Sequence, residues 1–457
     1  MNKSIKIQST TQSFSAHSGL FLFEEVWTKL KLKKRINKLL PKKRKNIGPT
    51  QANKFKSLLF SFLVGNDCLS DLDTLRKDVL FKELTDGGVA ARTMGDFLKS
   101  FGNRHLEIFQ ELIVEISFEL RLKFFPDDKK FILAMDSTPH EHYSKKMEGM
   151  AWNYKDMWCL DSQNAYDQFG FSYLFDLRPG NTYSGKDAEY WVHEVFKHCP
   201  AHLEKWFRAD SAYGNSEVYK ALRAKEVKFA IVLKENVSKS VRKKNKNLLE
   251  WKKTELEFFK SKNCEIAMGL SPQEDGEDLR VVCIRAKKSD QEINDQLDLL
   301  VEYNPEEDNY RHYSIITNID ISEMGNEEIF DFYRERATAE SYIKEQKYGF
   351  DFLNFPCKTL RANNVYGLVG TLAHNLTRII SFAMEQKWKT VKCRKTKKLN
   401  RKKQLGYFSK KVRSECINIA GQVVRSARRM KLRLNTQTKE VLDKIMINLT
   451  FKLSLQT

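Results

Sequence analysis

The chain has 457 residues, of which 41% are hydrophobic, including 30 phenylalanines; that length suggests about three domains with real cores, and excludes a disordered or fibrous protein. Lysine and arginine outnumber aspartate and glutamate 79 to 59, a formal charge of +20, which favours a polyanionic partner, nucleic acid first and an anionic membrane surface second. No segment approaches the roughly 20 apolar residues of a membrane helix, and the N-terminus MNKSIKIQSTTQSF lacks the order of a signal peptide, so the expected location is the cytoplasm, beside the nucleoid.

Residues 1–125 read as a helical, basic block. Apolar spacing predicts helices near Leu20 to Leu40 and over Phe55 to Val64, and another in HLEIFQELIVEISFELRLKFF. KLKKRINKLLPKKRK, from Lys31 to Lys45, concentrates positive charge suited to phosphate contacts or to a solvated linker. In TDGGVAARTMGDFLKSF, Gly87 and Gly88 make a break, and Thr93 and Asp96 have the spacing of a capping box opening a helix. Either a helix-turn-helix DNA reader or a plain helical hairpin fits that pattern.

From about residue 126 to 234 short apolar runs bounded by turns signal strands. KKFILAMDSTP predicts a strand ending at Asp136, GFSYLFDLRPG a second, KWFRADSAYG one ending at Asp210, and VKFAIVL another; helices fall over Lys186 to His198 and Glu217 to Lys225. Such alternation describes an α/β sheet flanked by helices, with Asp136 and Asp210 where open sheets place their chemistry. His193, His198, Cys199 and His202 invite a metal reading, but Pro200 breaks the helix that would align them. The eight cysteines lack zinc-module spacing and read as reduced thiols.

Residues 235–312 read as a β-rich insertion: the basic run SVRKKNKNLLEWKK, then CEIAMGL, LRVVCIRAKK and LDLLVEY. HYSIITNI resumes the main fold, assigned to residues 313–386. The stretch DFYRERATAESYIKEQKYGF, Asp331 to Phe350, follows as a single helix. At 3.6 residues per turn, Tyr333, Arg336, Glu340 and Lys347 fall within an arc of roughly 60°. Taken alone, that edge is a solvated face with pairs such as Arg336–Glu340 and Glu340–Lys344. NNVYGLVGTLAHNLTRIISFAMEQ reads as a core helix, with His374 an interior histidine, and residues 387–457 read as a basic helical region whose second helix is VVRSARRMKLRL.

Three carboxylates stand out by context: Asp136, Asp210 and Glu340. Hard divalent cations take oxygen ligands, and Mg²⁺ in particular is held by a few carboxylates; two ions can serve both oxygens of an in-line phosphoryl transfer. Ser137, Thr138 and Ser211 follow the two aspartates and are placed to hydrogen-bond them. Each aspartate by itself would also suit a turn or cap.

Taken together, Asp136-Ser137-Thr138 on a strand, RADSAYGN around Asp210, and Tyr-x2-Arg-x3-Glu-x6-Lys at Tyr333, Arg336, Glu340 and Lys347 resemble the DDE transposases of bacterial insertion sequences with the YREK signature. The likeness runs from about Phe131 to Ile380. It implies a ribonuclease-H-like mixed sheet flanked by helices and interrupted by the insertion. It further implies that Asp136, Asp210 and Glu340 bind two Mg²⁺ or Mn²⁺ ions for cleavage and transfer of DNA strands at transposon inverted repeats, by a cut-and-paste route in a homodimer that pairs two ends. Tyr333, Arg336 and Lys347 then contact DNA near the cleaved end. In some relatives an aromatic residue of the insertion stacks on a flipped base, and Trp251 is the only tryptophan of this insertion. Two other readings keep the sequence features: a metal-dependent nuclease without strand transfer, and an inactive or domesticated DNA-binding derivative.

Overall fold

A computed structural model of the chain describes residues 10–43, 47–258, 263–274, 276–289, 307, 309–384, 390–392, 399–401, 408–426 and 429–455. LDLLVEY and most of the basic stretch after Lys387 lie outside the described residues.

A short strand, β1 (Phe14–Ser15), precedes seven helices: α1 (Leu20–Lys29), α2 (Leu32–Ile36), α3 (Gln51–Val64), α4 (Asp71–Leu75), α5 (Val79–Leu84), α6 (Ala91–Lys99) and α7 (Asn103–Phe124). The expected Leu20 to Leu40 helix is two, because Lys31 turns into the left-handed region at φ 51°. Thr93 and Asp96 do not open a helix: they lie inside α6, which starts at Ala91. Its first N–H is bonded instead by Asp73 of α4, at 3.3 Å, a cap supplied from outside the local sequence.

Among the described residues, ten strands form one sheet. They are β2 (Lys130–Glu141), β3 (Ala151–Trp152), β4 (Trp158–Tyr166), β5 (Ser172–Pro179), β6 (Glu204–Ala209), β7 (Lys228–Val232), β8 (Lys252–Thr254), β9 (Cys264–Pro272), β10 (Asp278–Lys287) and β11 (Tyr310–Thr317). Their order is β3-β4-β2-β6-β7-β11-β10-β9-β8, with β5 also paired to β4. β2, β6 and β7 run parallel, while β4 and β5 are antiparallel to their neighbours. Helices α8 (Ala188–Lys197) and α9 (Ser216–Ala224) make the crossovers around β6, and α10 (Glu235–Lys244) opens the segment that precedes β8. The strands of residues 252–287 are not a separate sheet: β10 pairs with β11 from Arg280↔Thr317 to Lys287↔Tyr310, extending the one sheet sideways.

After β11 come α11 (Asn326–Arg334), α12 (Ala337–Gly349) and α13 (Leu360–Ala383). Nearly every residue of α13 is buried, as expected of a helix enclosed on all sides. Gly367 allows its close approach to the sheet, since a Cβ there would lie 2.0 Å from the Phe175 ring on β5. His374 is interior as read, its Nε2 2.8 Å from the Gly170 carbonyl.

The C-terminal region departs from the helical reading. A two-stranded ribbon, β12 (Thr390–Lys392) with β13 (Leu399–Arg401), precedes α14 (Ser409–Val412). VVRSARRMKLRL is then an antiparallel hairpin, β14 (Gly421–Ser426) and β15 (Arg429–Arg433), which adds β1 as a third strand. The paired Val423↔Leu432 and Val424↔Lys431 fit a pleated, half-buried surface better than a helix. The closing helix is α15 (Thr436–Ser454). Arg413, just after α14, donates to the carbonyls of Phe62 at 2.7 Å, Leu63 at 3.1 Å and Gly349 at 2.5 Å. It thereby satisfies the open C-terminal ends of both α3 and α12. No described helix is long and apolar enough to cross a membrane.

Candidate active site

β2 and β6 are parallel, and their pairing ends at Met135↔Ala209. The next residue on each chain is an aspartate, Asp136 and Asp210, so two acids emerge side by side from neighbouring strands. β2 does not stop there, contrary to the expected strand end at Asp136. It continues antiparallel to β4 as far as Glu141↔Cys159, so Asp136 lies where one neighbour departs and the other remains. Asp210 caps the 3-10 turn Ser211–Tyr213, accepting from the Ala212 N–H at 2.9 Å. Asp136 accepts from the Ser137 N–H at 2.9 Å. Among the residues next in sequence, backbone amides, not the expected hydroxyls of Ser137, Thr138 and Ser211, bond these carboxylates.

Asp331 to Phe350 is not one helix. It breaks at Glu335 and Arg336 into α11 and α12. The cause is Arg208, two residues before Asp210. Its buried guanidinium takes the Phe332 carbonyl at 2.9 Å and Glu335 at 3.3 Å. The Arg336 N–H, the usual partner of that carbonyl in an α-helix, bonds to Tyr333 O at 2.8 Å instead. This tightened turn swings Arg336 toward the sheet. Its Nη1 donates to Asp136 Oδ2 at 2.9 Å and its Nη2 to Glu340 Oε1 at 3.0 Å, so one guanidinium bridges two of the three acids. Tyr342, Ile343 and Ala339 bury the opposite face of α12 against Ala134 and Tyr166. The Tyr166 hydroxyl donates to Gln346 Oε1 at 2.7 Å.

The four signature residues therefore do not share one solvated edge. Tyr333 is buried, its ring 5.9 Å beneath the Arg336 guanidinium and 6.1 Å from Tyr313. Lys347 is half-buried beside Glu141, Asp161 and Cys159; burial lowers its pKa while the two carboxylates oppose that shift. Of the neighbouring charges, Arg334 and Glu335 are exposed, Arg334 donating to the Glu257 carbonyl and Glu335 receiving Arg208, while Glu345 accepts from the Ser409 N–H at 2.6 Å.

Burial raises the Asp136 carboxyl to about 6; Arg336 works against that shift and the nearby Asp210 adds to it. A cluster with three carboxylates and one arginine has negative charge in excess, and all its ligand atoms are oxygens, which suits a hard divalent cation. The three carboxylates are nevertheless spread: among the described residues, the only acid, cysteine or histidine group with ligand atoms all within 4.8 Å of one another is Asp67, Cys68 and Asp71. The histidines near Pro200 do not converge either; His193 faces Glu194 and His198 faces Glu111, at 3.2 and 3.4 Å. Trp251 is not brought to the carboxylates. It immediately precedes β8, at the far edge of the sheet from β2, and Arg285 lies 4.1 Å over its ring.

The family model described as transposase DDE domain, group 1, matches residues 1–452. The chain therefore belongs to the DDE transposases, enzymes that act on DNA and typically use divalent metals. No curated protein matches the chain. Arg208 was not singled out in the sequence; an arginine two residues before an acidic strand end was the available signal, but its partners lie more than 120 residues away.

Proposed function

We propose that this chain cleaves DNA at the ends of its own mobile element and joins those ends to target DNA, with Asp136, Asp210 and Glu340 holding Mg²⁺ or Mn²⁺. The observation that carries the proposal is the pair of aspartates directly after the last parallel pairing of β2 and β6, with Glu340 tied to Asp136 through Arg336. The order β5-β4-β2-β6-β7, three antiparallel strands then two parallel ones, supports a ribonuclease-H-like core. When bound, the ions would activate the attacking oxygen and stabilise the leaving one.

The chain's own residues then have separable tasks. Arg336, bonded to both Asp136 and Glu340, can turn a guanidinium toward an incoming phosphate once the carboxylates have another cation partner. Tyr333 supports the guanidinium from below. Lys347, further along α12, presents a second positive group to the same strand. The helical block of residues 1–125 and the basic C-terminal region would supply phosphate contacts along the transposon end, and a homodimer would pair two such ends. Trp251, covered by Arg285, is left out of this reading.

Pre-cut transposon ends supplied with a supercoiled plasmid and Mn²⁺ test the assignment. Joined products are expected from the wild-type chain and not from Glu340→Ala. Cleavage without any joining would favour the nuclease reading, and joining by the Glu340→Ala chain would overturn the site.

A further inference from the structure

Between β2 and β4 the chain makes an excursion, residues 142–158, that none of the tasks above uses. Its sequence, HYSKKMEGMAWNYKDMW, interleaves aromatic residues with lysines. Tyr143, Trp152 and Tyr154 are 101%, 63% and 82% exposed, and Lys145, Lys146 and Lys155 are exposed among them. Three large aromatic side chains standing in water within twelve residues are not explained by packing, and exposed apolar clusters mark contact surfaces. The loop is held, not loose. Trp152 pairs with Trp158 across β3 and β4, their rings 5.7 Å apart, and the Trp158 indole N–H donates to the Ser144 carbonyl at 3.2 Å. Of the two acids in the excursion, Glu148 is occupied in bonding the Leu360 N–H that opens α13, at 2.9 Å.

The loop is continuous with the candidate active site. Asp136 pairs with Asn164, and β4 runs from there back to Trp158; at ~3.3 Å per residue those six steps cover about 20 Å. Duplex DNA advances 3.4 Å per base pair, so the aromatic cluster stands about six base pairs from a phosphate held at Asp136 on paired DNA, and fewer nucleotides away on an unpaired, more extended strand. Lys347 lies on the way, beside Glu141 and Cys159, which are paired to each other at the start of the excursion.

We propose that this loop is a binding surface for unpaired DNA, with Trp152 and Tyr154 stacking on bases and the three lysines holding the backbone. Aromatic rings interleaved with cations are the means by which proteins bind single strands without reading sequence. A fully paired duplex would satisfy the lysines but offer no base to the exposed ring faces, one of them now covered by Lys155 at 5.3 Å over Tyr154, so the surface selects strands that are open beside the cut. The inference rests on the DNA-processing role proposed above and adds to it the form of the substrate.

Fluorescence anisotropy on the full chain in EDTA tests it, using a labelled random-sequence duplex that is either blunt or carries a dT8 tail. The tail is expected to tighten binding by about tenfold at fixed salt, the scale of one stacked base. Trp152→Ala with Tyr154→Ala should remove that gain and leave blunt-duplex affinity and the thermal midpoint unchanged, and the Trp152→Phe, Tyr154→Phe pair should retain most of it. The proposal is overturned by a wild-type chain indifferent to the tail. Equal loss on both probes also overturns it, as does altered self-association of the alanine pair in sedimentation velocity, which would make the loop a contact between copies. Tail preference without Mn²⁺-dependent cleavage would instead sink the transposase chemistry and leave the surface standing.

Discussion

The two halves of the sheet treat charge in opposite ways. In the outer half, built from α10 and β8 to β11, two arginines are matched by carboxylates, while the buried Arg280 bonds the Met324 carbonyl. Arg242 meets both Glu235 and Glu307 at 2.9 Å, and Arg285 meets Glu265 at 2.7 Å. Around β2, β6 and α12 the account is unbalanced: Asp136 and Glu340 share one arginine, and Asp210 makes no ion pair among the described residues. A folded protein ordinarily avoids placing carboxylates together without counter-charge, because each raises the cost of ionising the next. A half whose carboxylates outnumber their partners suits the cations proposed above.

Three measurements bear on that contrast, in decreasing order of effect. Asp210→Ala should lower Mn²⁺-dependent cleavage of end DNA by roughly three orders of magnitude, with duplex binding nearly unchanged, and Mn²⁺ should no longer raise the thermal midpoint. Cleavage within a few-fold of wild type would remove Asp210 from the site. Arg242→Ala should do the reverse. It leaves Glu307 partly buried without its partner, which costs about 2–4 kcal/mol of stability, while the cleavage rate per folded molecule stays as it was. A rate that collapses in step with stability would erase the division between the halves.

The third concerns pH. The folded Asp136 carboxyl sits at about 6 against an ordinary 3.8, chiefly through burial. A raised carboxyl contributes most to folding below 3.8 and loses that contribution as the pH rises through 6. Asn cannot ionise, so the stability of metal-free Asp136→Asn relative to wild type should improve between pH 3.5 and 7.5, by on the order of 3 kcal/mol. Chemical denaturation at the two pH values checks it, and a stability of Asp136→Asn that falls relative to wild type as the pH rises would contradict the burial of Asp136. Mn²⁺ binding has the opposite sign, since the metal needs the ionised form, and its affinity should weaken below pH 6.

Much of this was legible from residues alone because it depends on local rules. Apolar runs ending in Asp136 and Asp210 announced β2 and β6, whereas the spacing of Tyr333, Arg336, Glu340 and Lys347 read by itself as a solvated edge and took on another meaning only beside the two aspartates. β4 is harder to read: its buried Asp161, Ser162, Gln163 and Asn164 look like a polar turn. They are tolerated inside because Arg178 and His140, from other strands, bond Asp161 and Ser162 at 2.7 Å each. The C-terminal hairpin escaped for a related reason, since its basic residues have helical propensity and its pairing with β1 lies some 400 positions away.

By itself, then, the sequence determined the alternation of strands and helices, the basic character of the chain and the identities of the acidic residues, all set by periodicity and composition within a few turns of chain. Only the tertiary structure decided that the signature helix breaks at Arg336, that this guanidinium bridges Asp136 and Glu340, and that Tyr333 is buried while Lys347 faces a different set of acids. The reason is physical: Arg208 captures the Phe332 carbonyl from a distant strand, and a hydrogen bond across 124 positions outweighs the local preference of the helix to continue.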